Sequence, residues 1–224
     1  MPFTKVTLVQ DTYRHKGLRK QLVDTLRNKG IKDERILEAF SDIPRHYFLS
    51  PEFADWAYRD VPFDIGLEQT ISQPYTVAFM TELVQVKPQE KILEIGTGSG
   101  FQACVLAYLG AKVYTIERHK PLYEKTKKLL VDLGFERIRT LYGDGYAGNE
   151  RFAPYDKIIV TAGATDIPKM LYEQLADGGQ MVIPVGPADK QTMYRITKVA
   201  GQNPKIEDFG PYIFVPFLPG TNPG

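Results

Sequence analysis

The sequence predicts an α/β fold: a doubly wound parallel sheet with an antiparallel edge strand and a helical extension in front of it. Three observations carry this. Short apolar runs alternate with helix-length amphipathic segments through the middle of the chain, as in successive βαβ units. A glycine turn, Gly96-Thr97-Gly98-Ser99-Gly100, follows the first of those runs and opens a helix. The last strand candidates are polar and closely spaced, with no helix between them, as antiparallel neighbours are.

Taken in order, Leu18, Leu22, Val23 and Leu26 recur at helical spacing between about Asp11 and Lys29, and Gly30 stops the pattern. Asp33 caps a second helix, Glu34 to Phe40, and Pro44 follows it. The aromatic stretch from Arg45 to Asp60, with Tyr47, Phe48, Phe53, Trp56 and Tyr58, reads as packing of the extension onto the core rather than as a substrate pocket. Residues Asp64 to Pro74 are polar and punctuated by Gly66 and Pro74, so they form neither a core strand nor a helix interior. Pro74 suits the first turn of a helix running from Tyr75 to Val86. Ser72 therefore sits just before a helix start, either as its N-cap or as a hydroxyl presented, with nearby backbone N–H groups, to an anion.

The sheet candidates are Lys91 to Ile95, Lys112 to Ile116, Arg139 to Tyr142, Tyr155 to Thr161, Gln180 to Pro184, Gln191 to Val199 and Tyr212 to Phe217. Helices fall at Phe101 to Leu109, about Pro121 to Leu133, and Pro168 to Leu175, with a turn at Asp177-Gly178-Gly179. One domain results, divided into an extension and active-site loop (1–75), a cofactor-binding sheet core (76–217) and a loose tail (218–224).

Composition narrows the function classes. With 224 residues, 43% hydrophobic and 25% charged, the chain can build one substantial core. Its 28 basic and 27 acidic side chains leave no net field to draw it to nucleic acid or an anionic membrane. Met1 to Gln10 lacks the apolar centre of a signal peptide, and no run approaches the roughly twenty apolar residues that span a bilayer. A cytoplasmic monomer is expected. The single cysteine, Cys104, reads as a small buried hydrophobe, and His15, His46 and His119 are scattered without metal-ligand spacing, so no metal is expected.

The chemistry is concentrated at strand ends. Glycines at 96, 98 and 100 let a ligand lie directly on the backbone N–H groups at a helix start. A dinucleotide fingerprint needs glycine where Phe101 stands, so the NAD pattern fails by one position. Glu94 would repel a diphosphate and attract an ammonium, which favours S-adenosylmethionine. Glu117 ends the next strand about 23 residues on, the spacing at which an acid meets ribose hydroxyls. Asp144, in Gly143-Asp144-Gly145, follows a third strand and is placed to accept from an adenine amino group. Together these put three acceptors along the carboxyl edge of one parallel sheet.

Gln69-Thr70-Ile71-Ser72-Gln73-Pro74-Tyr75, the glycine turn with Leu93-Glu94-Ile95 before it, Gly143-Asp144-Gly145, Ile158 to Ala162, Val182 to Gly186 and Phe214-Val215-Pro216 resemble the bacterial protein-L-isoaspartate O-methyltransferases over roughly Leu18 to Phe217. The Thr-Ile-Ser-Gln-Pro stretch is the specific part. The resemblance implies a Rossmann-like, seven-stranded S-adenosylmethionine-dependent methyltransferase sheet. It implies methyl transfer to the free α-carboxylate of L-isoaspartyl residues in damaged proteins and peptides. It makes Ser72 the active-site serine, with Gln69, Thr70 and Ile71 lining cofactor and substrate. Cofactor contacts are implied at Glu94, Gly96, Gly98, Ser99, Glu117, Arg118, Asp144 and Gly145, and substrate contacts at Ile71, Ser72, Val215 and Pro216. Glu68, Phe101 and Leu218-Pro219-Gly220 depart from the usual pattern. The rival readings are a methyltransferase for another carboxylate and a noncatalytic cofactor-binding module.

Overall fold

Two helices open the chain in the computed structural model, which describes residues 10–224. Helix α1 (Tyr13–Asn28) starts at Thr12, whose hydroxyl accepts from the His15 N–H, and buries Leu22, Val23 and Leu26. Helix α2 (Glu34–Asp42) is capped by Asp33 and turns Ile36, Leu37 and Phe40 inward. Both agree with the spacing in the sequence. Two short 3-10 turns, Arg45–Phe48 and Pro51–Phe53, follow. Phe40 and Phe48 each meet Phe101 edge-on, with ring centroids 5.3 Å apart, so the aromatic stretch does pack the extension onto the core.

A small hairpin, β1 (Phe63–Gly66) and β2 (Gln69–Ile71), leads to helix α3 (Pro74–Val84). Leu67 and Glu68 make its turn, both with positive φ, at 57° and 58°. A two-residue hairpin loop needs this geometry, and glycine or asparagine usually supplies it. Alternation then takes over with β3 (Lys91–Ile95), α4 (Phe101–Tyr108), β4 (Lys112–Glu117), α5 (Lys120–Asp132), β5 (Arg139–Tyr142), β6 (Tyr155–Val160), α6 (Lys169–Glu173), β7 (Leu175–Val185), β8 (Gln191–Thr197) and β9 (Lys205–Tyr212). The seven strands from β3 onward form one sheet in the order β5-β4-β3-β6-β7-β8-β9. Pairing is parallel from β5 to β7 and antiparallel from β7 to β9. Strands β3 and β6 are buried throughout their apolar positions, as central parallel strands are.

Three details depart from the sequence reading. Helix α6 is shorter, because Leu175 already pairs with Tyr155; the Asp177-Gly178-Gly179 turn lies within β7 as an irregularity between Leu175 and Gln180. The antiparallel edge has two strands, and the last is the polar Lys205–Tyr212. The apolar run from Ile213 to Phe217 is not a strand: it is irregular chain held by Gly163, whose N–H donates to the Val215 carbonyl and whose carbonyl accepts from Phe217, both at 2.8 Å. Residues 219–224, read as loose, are tied to the corner after β4. Lys120 N–H donates to Asn222 O at 2.9 Å, and Asn222 N–H donates to Arg118 O at 2.7 Å.

Chain order reverses between β3 and β6, which places a topological switch point at the carboxyl ends of those strands. The glycine turn leaves the sheet there. Gly100 has φ 88°, and a Cβ on it would lie 2.8 Å from the Thr126 methyl and 3.2 Å from Leu130 on α5. Gly100→Ala combines left-handed strain with this clash, so we expect it to cost roughly 2 kcal/mol or more, a fall in Tm of about 4–8 °C. Thermal unfolding checks it; an unchanged Tm would show that α5 yields freely.

Candidate active site

The cleft at the switch point spans about 790 Å³, part of it open to solvent. Its floor is the glycine turn. Glycine is required at 96, where φ is 92° and a Cβ would come within 2.6 Å of the Thr161 hydroxyl. That hydroxyl lies 2.9 Å from Ile95 O and 2.8 Å from Gly96 O, holding the turn against the end of β6. Glu117, at the end of β4, accepts from the Gly98 N–H and the His119 N–H, each at 2.9 Å. Its carboxylate therefore braces the turn from the other side and still has lone pairs for a ligand hydroxyl. Thr126 on α5 donates to Gly98 O at 2.7 Å.

Glu94 is different. It is fully buried, and neither carboxylate oxygen has a hydrogen-bond partner among the described residues. Burial pushes its pKa up to about 8; the Thr115 hydroxyl partly opposes this and the Glu117 charge adds to it. An orphaned buried carboxyl beside a glycine cradle suits a ligand that brings a cation and donors of its own, as the methionine end of S-adenosylmethionine does. Burial, with Glu94 contributing, also drives the Cys104 thiol well above its usual value, which leaves that cysteine inert.

Across the floor from the turn, the β1–β2 hairpin supplies Gln69, Thr70 and Ile71, and the loop into α3 supplies Ser72. Ser72 is not the cap of α3: the N-cap is Gln73, with no side-chain cap bond, and Pro74 is the first helical residue. Ser72 lines the cleft, and no hydrogen bond engages its hydroxyl among the described residues. Two backbone positions at the helix start offer it no donor: Pro74 has none, and the Tyr75 N–H is taken by Asp60 at 2.8 Å.

The structure brings together all but one of the residues singled out in the sequence. Gln69, Thr70, Ile71, Ser72, Glu94, Gly96, Gly98, Ser99, Glu117, Arg118, Gly145, Val215 and Pro216 line the cleft. Asp144 does not. Its carboxylate accepts from the Tyr146 N–H at 2.9 Å, and Tyr146 stacks on Phe217, a lining residue, at 4.0 Å. Arg118 lines the cleft, but its guanidinium donates to the carbonyls of Gly220 at 3.2 Å and Pro219 at 3.4 Å. Sequence reasoning missed Thr161, Gln102 and Phe217. Thr161 was findable, as the polar residue ending an otherwise apolar strand; Phe217 was not, because the run containing it reads as a strand.

Histidines that look scattered in sequence also meet. Ligand atoms of Asp11, His15 and His46 lie within 4.8 Å of one another. Arg19 donates to both Asp11 oxygens, at 3.0 and 2.9 Å, the His15 Nδ1 lies 3.1 Å from Gln10 O and the His46 Nδ1 2.6 Å from the Tyr58 hydroxyl, and the two imidazoles stack at 4.1 Å.

Comparison with known proteins agrees with this geometry. Residues 17–222 match the family model described as protein-L-isoaspartate(D-aspartate) O-methyltransferase. A protein-L-isoaspartate O-methyltransferase of Christiangramia forsetii is 52% identical over 214 residues, covering 96% of this chain and 100% of the relative. One from Dictyoglomus turgidum is 51% identical over 206 residues, covering 92% and 93%. A solved protein-L-isoaspartate O-methyltransferase superposes with a TM-score of 0.81 at 30% identity, covering 88% of this chain and 65% of that longer chain. A Plasmodium falciparum chain assigned to the same enzyme class, solved in complex with S-adenosyl-L-homocysteine, superposes with a TM-score of 0.77 at 25% identity, covering 89% and 98%. The chain belongs to the protein-L-isoaspartate(D-aspartate) O-methyltransferase family.

Proposed function

We propose that this protein repairs damaged proteins by transferring a methyl group to the free α-carboxylate of L-isoaspartyl residues, with Ser72 orienting that carboxylate. The observation that carries the role of Ser72 is that it lines the same cleft as the glycine turn while its hydroxyl is not used to cap α3. S-adenosylmethionine supplies the electrophilic methyl group. A carboxylate with a pKa of about 3.5 is already ionised at neutral pH, so the chain needs no general base. No histidine or cysteine is asked to act as one. What the residues provide is in-line placement and exclusion of water, and placement can lower a barrier by about 7 kcal/mol or more.

In this reading the glycine turn and Glu94 hold the methionine end of the cofactor, and Glu117 receives the ribose hydroxyls. Gly145 and Asp144 border the adenine, Asp144 by shaping the turn. Gln69, Thr70, Ser99 and Arg118 complete the cofactor contacts. Ile71, Val215 and Pro216 flank the substrate peptide. The substrate is a protein or peptide, the working form a cytoplasmic monomer, and nucleic acid is not a partner; none of the described helices is long and apolar enough to cross a membrane.

Labelled methyl transfer to two peptides differing only in an isoaspartyl or an aspartyl linkage tests the substrate assignment. Base-labile label on the isoaspartyl peptide alone is expected; equal labelling of both would move the chain to a general carboxylate methyltransferase. Ser72→Ala should lower kcat by roughly 10²-fold, the scale for losing one preorganised donor, and leave S-adenosylhomocysteine affinity unchanged. Parallel loss of affinity in calorimetry would make the serine a structural element instead.

Glu94 gives a pH test. Its folded pKa of about 8 lies above the ordinary 4.5. Between those values the unfolded chain has lost the proton that the folded chain keeps. This contribution to stability therefore falls as pH rises from about 4.5 to 8 and is flat above. Glu94→Gln removes that slope, so the variant should gain stability relative to the parent across this window while binding S-adenosylhomocysteine more weakly. Denaturant unfolding from pH 5 to 8 reads the difference; parallel curves would mean the carboxyl is solvated in the free protein.

A further inference from the structure

Outside the cleft, the most unusual buried group is Arg45. It is 1% exposed and comes from the 3-10 turn Arg45–Phe48 in the helical extension. Its Nε donates to Ala57 O at 3.0 Å and its Nη2 to Ser72 O at 2.7 Å. The guanidinium carbon lies 4.8 Å from the centre of the Phe101 ring, at the start of the helix that follows the glycine turn. Nη1 has no hydrogen-bond partner among the described residues.

No carboxylate is hydrogen-bonded to this charge. Asp60 attracts it from nearby, but its oxygens serve Lys29, the Gln73 side-chain amide at 3.1 Å and the Tyr75 N–H at 2.8 Å. Burial consequently pulls the Arg45 pKa down to about 9. A buried cation without an ion-pair partner is an expensive way to fill space, and an apolar side chain of the same length would fill it with less desolvation. What a guanidinium does there, and an apolar chain does not, is fix two carbonyls, one of which belongs to Ser72.

We infer that Arg45 is a positioning residue for the methyl transfer: it fixes the plane of the Ser72–Gln73 peptide and so aims the Ser72 hydroxyl at the substrate carboxylate. This rests on the reading of Ser72 given above. Holding the Ser72 carbonyl anchors the peptide plane next to the Ser72 Cα, and so limits where that Cα and its hydroxyl can stand in the cleft. Asp60 fixes the next residues through Gln73 and Tyr75, so residues 72–75 are clamped from both sides by the extension. Arg45 itself does not line the cleft, so it acts through Ser72 and touches neither substrate nor cofactor. The same guanidinium rests on Phe101, which ties the serine's placement to the helix behind the glycine turn.

The test is a double-mutant cycle in the full chain with Arg45→Met, Ser72→Ala and both together. Readouts are kcat and KM for an isoaspartyl peptide, calorimetric affinity for S-adenosylhomocysteine, and Tm. Arg45→Met should lower kcat on the order of 10²-fold, as small misplacements do, with cofactor affinity nearly unchanged. In the Ser72→Ala background the same change should cost little more, because there is no hydroxyl left to aim. Arg45→Lys, which keeps the charge and one donor but not the fork, should recover part of the loss and carries the same cycle if Arg45→Met does not fold. Fully additive losses, or a fall in cofactor affinity that tracks the fall in kcat, would make Arg45 a merely structural residue and overturn the inference while leaving Ser72 in place. A normal kcat in Ser72→Ala alone would overturn both readings.

Discussion

Everything at this site depends on one close approach: the glycine turn is pressed between three elements that each spend a polar group on it. Thr161, at the end of β6, sits where a Cβ of Gly96 would be. Glu117, at the end of β4, takes the Gly98 N–H, and Thr126 on α5 takes the Gly98 carbonyl. The turn is thus held open as a cradle by contacts that satisfy its backbone without filling it. Because two of those partners stand at the ends of β4 and β6, the strands on either side of β3, the strand order itself decides where a ligand can bind.

Glu94 shows what that cradle costs. A fully buried carboxyl without hydrogen bonds destabilises a folded chain, and burial answers by raising its pKa so that it stays neutral. In the proposed reading the group is half of an interaction whose other half arrives with the cofactor. Contrast Glu117, a buried carboxylate already satisfied by two backbone donors. The two acids look alike in the sequence, each closing a strand, yet one is a strut that also faces the ligand and the other is a vacancy in the hydrogen-bond network. Binding energy spent on Glu94 is stability the free protein forgoes.

Much of this was legible in the sequence, for identifiable reasons. The central parallel strands are short and carry apolar centres, Ile92-Leu93 and Ile158-Ile159-Val160, so Lys91–Ile95 and Tyr155–Val160 stand where periodicity and composition put them. Polar strand ends pointed to the cleft, and nearly every residue named from them lines it. The failures are equally physical. Lys205–Tyr212 is an edge strand with one exposed face, so its composition is polar, and the apolar run beyond it looks more like a strand than it does. That run is apolar because it packs over the cleft, with Phe217 on Tyr146. Asp144 was named for its type and position; one of its oxygens accepts from the Tyr146 N–H of its own turn, a local bond that its sequence context allows, and the other oxygen is left over.

The helical extension was legible as helices and illegible as machinery. Its aromatic residues read correctly as packing, yet packing is how it reaches the site: Phe40 and Phe48 grip Phe101, and between those rings and the Ser72 loop lies the one buried guanidinium with two carbonyls to hold. A carboxylate substrate needs no base, only an acceptor geometry that is kept while water is excluded. Such geometry cannot be delegated to a loop of Ser, Gln and Pro with no side-chain hydrogen bond at its helix cap. It has to be imposed from outside the loop, by groups whose own positions are fixed by burial. The extension provides them, Arg45 on the serine's carbonyl and Asp60 on the residues after it, and it is built into the same hydrophobic cluster as the helix that follows the glycine turn.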